Sequence, residues 1–228
     1  MTEGLQGNDT ESGDREMKKI VLIGDSIRLG YDQYVKKAFE GAAQVYYPAE
    51  NCRFTTYVLR FLGDWKRKME CGDDVDLVHW NAGLWDDLRM EDGMPLISLA
   101  QYEENVGRIC DAMGKLFPRA KLIFATSTPV REELFLGECK RYNRDTERYN
   151  ERAAAVVRAK GGEVNDLYAL LRDCPTEYYS DMTHFYTEAG SRVITEQVVR
   201  VIGESLGLRA DGIDMGALFS LEQGTVGF

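Results

Sequence analysis

Ser26 stands in Gly24-Asp25-Ser26, directly after a short apolar run. A serine hydroxyl is a poor nucleophile until a base takes its proton. The chain has two histidines, and one of them, His184, closes Ser180-Asp181-Met182-Thr183-His184. Asp and His three apart on a turn can face the same side. The carboxylate can then hold one ring nitrogen while the other faces a serine hydroxyl. Each signal has a plainer reading. Ser26 or Asp25 could simply cap the next helix. Asp181 could be a local cap and His184 a half-buried packing residue. A phosphate-binding loop is a third reading of the first turn, but GxxxxGK[ST] is absent. The other histidine, His79, lies inside an apolar run, where a structural role fits best.

Two further segments could serve an acyl-transfer site. Asn81-Ala82-Gly83-Leu84-Trp85-Asp86 follows a strand-like run, and a side-chain amide there can donate to a developing oxyanion. The local alternative is an Asn that satisfies turn backbone. Pro48-Ala49-Glu50-Asn51-Cys52-Arg53 follows another such run, and its backbone N–H groups could point toward Ser26. Cys52 as a nucleophile lacks a second well-placed histidine to activate it.

These residues need elements to position them. Apolar runs at Lys18–Gly24, Ala43–Tyr47, Val75–Trp80, Ala120–Thr126 and Glu163–Asn165 read as five strands. Helical spacing marks Tyr31–Glu40, Phe54–Met69, Leu99–Phe117, Arg141–Lys160 and Glu188–Leu206. Alternating strands and helices predict parallel βαβ units, with helices on both faces of one sheet. Chemistry in such folds lies beyond the carboxyl ends of the strands. Gly24-Asp25-Ser26, Pro48–Arg53 and Asn81–Asp86 all follow strands, and the Asp181–His184 loop comes late, in the order Ser, Asp, His.

Composition narrows the function classes. The 228 residues are 44% hydrophobic and 29% charged, which suits a globular chain with a real core. A net charge of −10 argues against phosphate backbones and anionic membranes, so no nucleic-acid or membrane partner is expected. The five cysteines are scattered, odd in number and form no CxxC pair, so a zinc site and a disulfide scaffold are both unexpected. Free thiols and the absence of an apolar leader favour a cytoplasmic location. Residues 1–16 read as a disordered extension, residues 17–206 as one domain, and the Gly-rich tail 207–228 has no assigned role. Met17 directly precedes the first strand and offers an alternative start.

The blocks KIVLIGDSIRLGY, HWNAGLWDDL and SDMTHFYTEAG resemble those of the SGNH/GDSL hydrolase superfamily of esterases and lipases. The stretch RYNERAAAVVRAKGGEVNDLYALL, ending at Leu171, resembles members that act on carbohydrate esters. The resemblance covers roughly Lys18 to Leu206. It implies a flavodoxin-like three-layer α/β/α sandwich with a five-stranded parallel sheet. It implies Ser26 as nucleophile, His184 as general base and then acid, and Asp181 as its orienter, without metal or cofactor. It further implies an oxyanion hole from the Ser26 N–H, a second-block N–H and a third-block Asn.

Two departures bear on that hole. The third block usually reads Gly-x-Asn-Asp, whereas here Gly83-Leu84-Trp85-Asp86 has Trp at the Asn position. Asn81 would then supply the amide. The second block usually offers a glycine, but Pro48–Thr56 contains none, so an N–H of Cys52 or Asn51 would serve. Asp25, Asn51 and Trp85 are the expected substrate contacts, with Trp85 packing against the acyl group. The expected substrate is a small ester carrying a short acyl group, with activity rising with pH through about 6–7 as His184 becomes neutral.

Overall fold

The computed structural model describes residues 17–208 and 215–219. The expected extension over 1–16 and most of the tail lie outside the described residues.

Five strands form one parallel sheet in the order β2-β1-β3-β4-β5: β1 Lys18–Ile23, β2 Ala43–Tyr46, β3 Leu77–Trp80, β4 Lys121–Ala125 and β5 Glu163–Asn165. The β1 sequence is apolar at consecutive positions because both of its faces are covered. Ile20 and Leu22 enter one core with Val35, Ile194, Val198 and Ile202. Val21 and Ile23 enter a second core with Val58, Trp65, Trp80, Ile109 and Phe124. The result is the three-layer α/β/α sandwich with a five-stranded parallel sheet that the sequence resemblance implies.

The second core is covered by α3 (Thr55–Met69), α4 (Leu99–Leu116) and α5 (Asn143–Ala159). Each buries residues at helical spacing: Val58, Leu62 and Trp65; Tyr102, Val106, Ile109 and Met113; Tyr149, Ala153 and Val157. The first core is covered by α2 (Asp32–Ala38) and α7 (Glu188–Leu206). Ser98 caps α4 by accepting from the Gln101 N–H, and Thr187 caps α7 by accepting from the Gly190 N–H. Gly207, at φ +66°, ends α7 in the left-handed conformation that glycine adopts without strain.

Three details differ from the sequence expectation. A separate turn of helix, α1 (Ser26–Leu29), precedes α2, because the Gly30 N–H bonds to Ile27 O and tightens the chain there. A five-residue helix, α6 (Leu167–Leu171), follows β5 and is too short to show a period; Asp166 caps it through the Ala169 N–H at 3.0 Å. Part of the tail is helical: α8 (Met215–Phe219) stacks Phe219 on Tyr34 with ring centroids 4.1 Å apart. Among the described residues, no helix is long and apolar enough to cross a membrane.

Candidate active site

β1 ends at Ile23, and the chain turns through Gly24 and Asp25 into α1, where Ser26 is the first residue. Asp25 has no solvent exposure. Its Oδ1 accepts from the Ile27 N–H at 2.9 Å and from Asn81 Nδ2 at 2.8 Å. The carboxylate therefore caps α1 and ties it to the end of β3, while Ser26 takes the outward place. Burial raises the Asp25 pKa above the usual carboxylate range, against the lowering effect of the Asn81 and Ile27 hydrogen bonds. Gly24 must lack a side chain, since a Cβ there would run into the Asn81 side chain.

The loop between α6 and α7 brings the other two groups to Ser26. Asp181 Oδ1 accepts from the N–H groups of Thr183 (2.7 Å) and His184 (2.8 Å), a local turn that presents both side chains on one side. Asp181 Oδ2 lies 2.7 Å from His184 Nδ1, and His184 Nε2 lies 2.8 Å from Ser26 Oγ. Burial pushes the Asp181 carboxyl up, but hydrogen bonds from the Thr183 N–H and from His184 outweigh it and hold the pKa below the ordinary value. Asp181 thus stays an acceptor for Nδ1–H, which leaves the Nε2 lone pair toward the serine hydroxyl. Such a row can pass a proton from Ser26 to His184 and back.

The second-block loop is held by a buried cation. Arg28 has no solvent exposure; it pairs with Asp32 in α2 and donates to Glu50 O at 2.6 Å. Glu50 itself accepts from Tyr57 Oη (2.7 Å) and Trp65 Nε1 (2.8 Å) on α3. These contacts hold the Glu50–Arg53 turn against the end of β1.

That packing corrects one expectation and places the other expected site residues. The Cys52 N–H donates to Gly24 O at 3.0 Å, so it closes the turn onto β1 and does not face an oxyanion. The Cys52 side chain is fully buried, and burial pushes its thiol up to about 11, which leaves it inert as a nucleophile. Asn81 is 2% exposed, and its amide nitrogen donates to Asp25, a contact that holds the Ser26 turn. Asp25, an expected substrate contact, is sealed beneath the turn. Asn51 Oδ1 accepts from the Arg53 N–H at 2.8 Å, and Trp85 is half-buried on the β3 loop. His79 is fully buried, 3.1 Å from the Asn165 amide, and burial drives its pKa down to about 3, as suits a structural residue.

Several participants leave no trace in local spacing. Arg53 adopts φ +52°, the left-handed backbone that usually calls for glycine, in the very block where glycine is missing. Arg141 donates to Leu84 O on the β3 loop and lies 3.4 Å from Thr183 Oγ1, bridging that loop to the Asp181–His184 loop. Tyr186 Oη donates to Ser26 O at 2.6 Å. Among the described residues, no three His, Cys, Asp or Glu side chains gather as a metal site.

Comparison with known proteins bears on the fold. No family model matches the chain. GDSL esterase/lipases of Oryza sativa subsp. japonica and Arabidopsis thaliana are each 26% identical to it over 121 residues. The matches cover 49% of this chain and 46% and 47% of the two relatives, so the chain spans about half the length of each. A lipase/acylhydrolase from Enterococcus faecalis superposes with a TM-score of 0.66 at 22% identity, covering 86% of this chain and all of that one. An acetyl-xylooligosaccharide esterase from Geobacillus superposes with a TM-score of 0.63 at 16% identity, covering 82% of this chain and 94% of that one. The chain has the fold of the SGNH/GDSL hydrolases, as its sequence blocks lead one to expect.

Proposed function

We propose that the protein is a serine-dependent carboxylic ester hydrolase that removes a short acyl group, acetyl foremost, from a carbohydrate or related small molecule. The observation that carries this reading is the unbroken row Asp181–His184–Ser26, with contacts of 2.7 and 2.8 Å. Ser26 Oγ attacks the ester carbonyl as its proton passes to His184 Nε2, and Asp181 steadies the imidazolium that forms. The Ser26 N–H, at the first position of α1, has no acceptor within the helix and can donate to the oxyanion. His184 then protonates the leaving alcohol, and water repeats the two steps on the acyl-enzyme. The GDSL esterase/lipase relatives support the hydrolase class, and the acetyl-xylooligosaccharide esterase neighbour supports a short acyl group on a sugar.

Fluorophosphonate labelling and p-nitrophenyl ester turnover test the reading. The expected result is labelling at Ser26, loss of both labelling and turnover in Ser26→Ala, and a rate maximum at the two-carbon acyl chain. A maximum at eight or more carbons would replace deacetylation by a lysophospholipase or thioesterase activity. A wild-type protein that neither labels nor turns over would leave a binding role on this fold.

A further inference from the structure

The loop that carries His184 holds one more side chain against Ser26. Tyr186 lays its ring along the His184 ring, with centroids 4.7 Å apart and planes 21° from parallel. Its hydroxyl donates to the Ser26 carbonyl, a contact between residues 160 positions apart in sequence. That carbonyl is available because α1 tightens at its end, where the Gly30 N–H goes to Ile27 O and not to Ser26 O. Position 30 is shaped to the ring as well. A Cβ on Gly30 would come within 2.7 and 2.8 Å of Tyr186 ring carbons. Gly30 has an ordinary φ of −74°, so glycine is needed there for room and not for conformation.

We propose that Tyr186 is a positioning residue for both partners of the proton transfer: its hydroxyl fixes the turn that aims Ser26, and its ring face supports the positive charge that His184 acquires. This rests on the ester-hydrolase reading above. An aromatic face attracts a cation within about 6 Å of its centroid and a neutral ring much less. The contact therefore strengthens as the proton moves onto His184, and an interaction stronger in the transition state than before it accelerates the step. The phenol keeps its proton at working pH, since burial first and the Asp25 and Asp181 charges next push its pKa well up. The charged groups acting on this centre include Asp181 on the same loop, Asp25 at the end of β1, Arg28 on α1, whose charge acts on the Tyr186 phenol, and Arg141, whose charge acts on both carboxylates.

Three substitutions test the proposal: Tyr186→Phe keeps the ring and loses the hydroxyl, Tyr186→Leu loses both, and Gly30→Ala displaces the ring without replacing it. Each is read by kcat and KM on p-nitrophenyl acetate across pH, and by the rate of fluorophosphonate labelling at Ser26. Tyr186→Phe should lower kcat about 10-fold at unchanged KM, with the acid limb of the pH profile in place. Tyr186→Leu should lower kcat further and move the acid limb to lower pH by roughly half a unit, because the imidazolium has lost its aromatic face. Gly30→Ala should lower kcat in the wild-type background and change little in the Tyr186→Leu background, where no ring remains to displace. Wild-type protein that labels, with Tyr186 variants within about two-fold in rate and an unmoved pH profile, overturns the proposal alone. An equal loss from Gly30→Ala in both backgrounds also overturns it. Wild-type protein that neither labels nor hydrolyses overturns the hydrolase reading and this proposal with it.

Discussion

Asn81 and Asp25 form a buried pair directly beneath Ser26, and their chemistry is that of a support. The Asp25 carboxylate takes one N–H from the α1 backbone and one from the Asn81 amide. Removing the amide leaves a buried carboxylate with one donor fewer. Asn81→Ala should therefore destabilise the fold by about 1–3 kcal/mol, measured by urea unfolding. An oxyanion role for the same amide makes the opposite pattern: a kcat loss of about 10²–10³ with stability intact. Comparing unfolding midpoint with kcat on one variant separates the two roles.

At the scale of elements, the active-site loops are joined to one another by contacts that cross the sheet ends. α3 starts after Phe54, whose side chain makes no cap. The cap comes from 31 residues away: Asp86, on the β3 loop, accepts from the Thr55 N–H at 3.1 Å and from the Thr55 hydroxyl. Asn105 on α4 donates to the same hydroxyl at 2.9 Å. One buried carboxylate thus ties the third-block loop to the start of α3, and the Thr55 hydroxyl carries the link on to α4. Asp86→Ala would leave the Thr55 N–H buried without an acceptor and remove a helix cap. The expected loss is about 1–3 kcal/mol in urea unfolding, with Ser26 labelling slowed by the freed loops. Unfolding at the wild-type midpoint would show that Asp86 does not hold α3.

At the scale of the whole molecule, the sandwich buries several carboxyl groups near the carboxyl ends of the strands, and their ionisation couples folding to pH. Burial drives the Asp87 carboxyl up to about 7, in spite of hydrogen bonding from Thr146 and the opposing charge of Arg141. An unfolded Asp titrates near 3.9. Between about pH 4 and pH 7 the folded chain therefore holds a proton that the unfolded chain has released. Stability attributable to this group falls as pH rises through that window, and the full penalty remains above it. Asp87→Asn removes the ionisation while keeping an acceptor for the Thr146 hydroxyl, now 2.6 Å away. The difference in Tm between variant and wild type should grow in the variant's favour from pH 5 to pH 8. A difference that stays constant across that range would show that Asp87 does not titrate with folding.

Much of this protein can be read from its residues in order. Consecutive apolar runs closed by Gly, Pro or polar residues announce strands covered on both faces, and the 3.6-residue stripes of α3, α4, α5 and α7 announce the helices that cover them. Ser26, Asp181 and His184 are legible because a strand-end turn and an Asp-x-x-His turn are local patterns, and the parallel alternation implies that both lie at one end of a sheet. The support beneath them is not legible. Whether an N–H faces a substrate or a neighbouring carbonyl depends on which loop packs against which. The tertiary structure alone gives the Cys52 N–H to Gly24, the Asn81 amide to Asp25, the α3 cap to Asp86 and the Tyr186 hydroxyl to Ser26. A local motif is set by bonds a few residues long, whereas these partners lie between 28 and 160 positions apart and meet only when the sheet and its helices close around them.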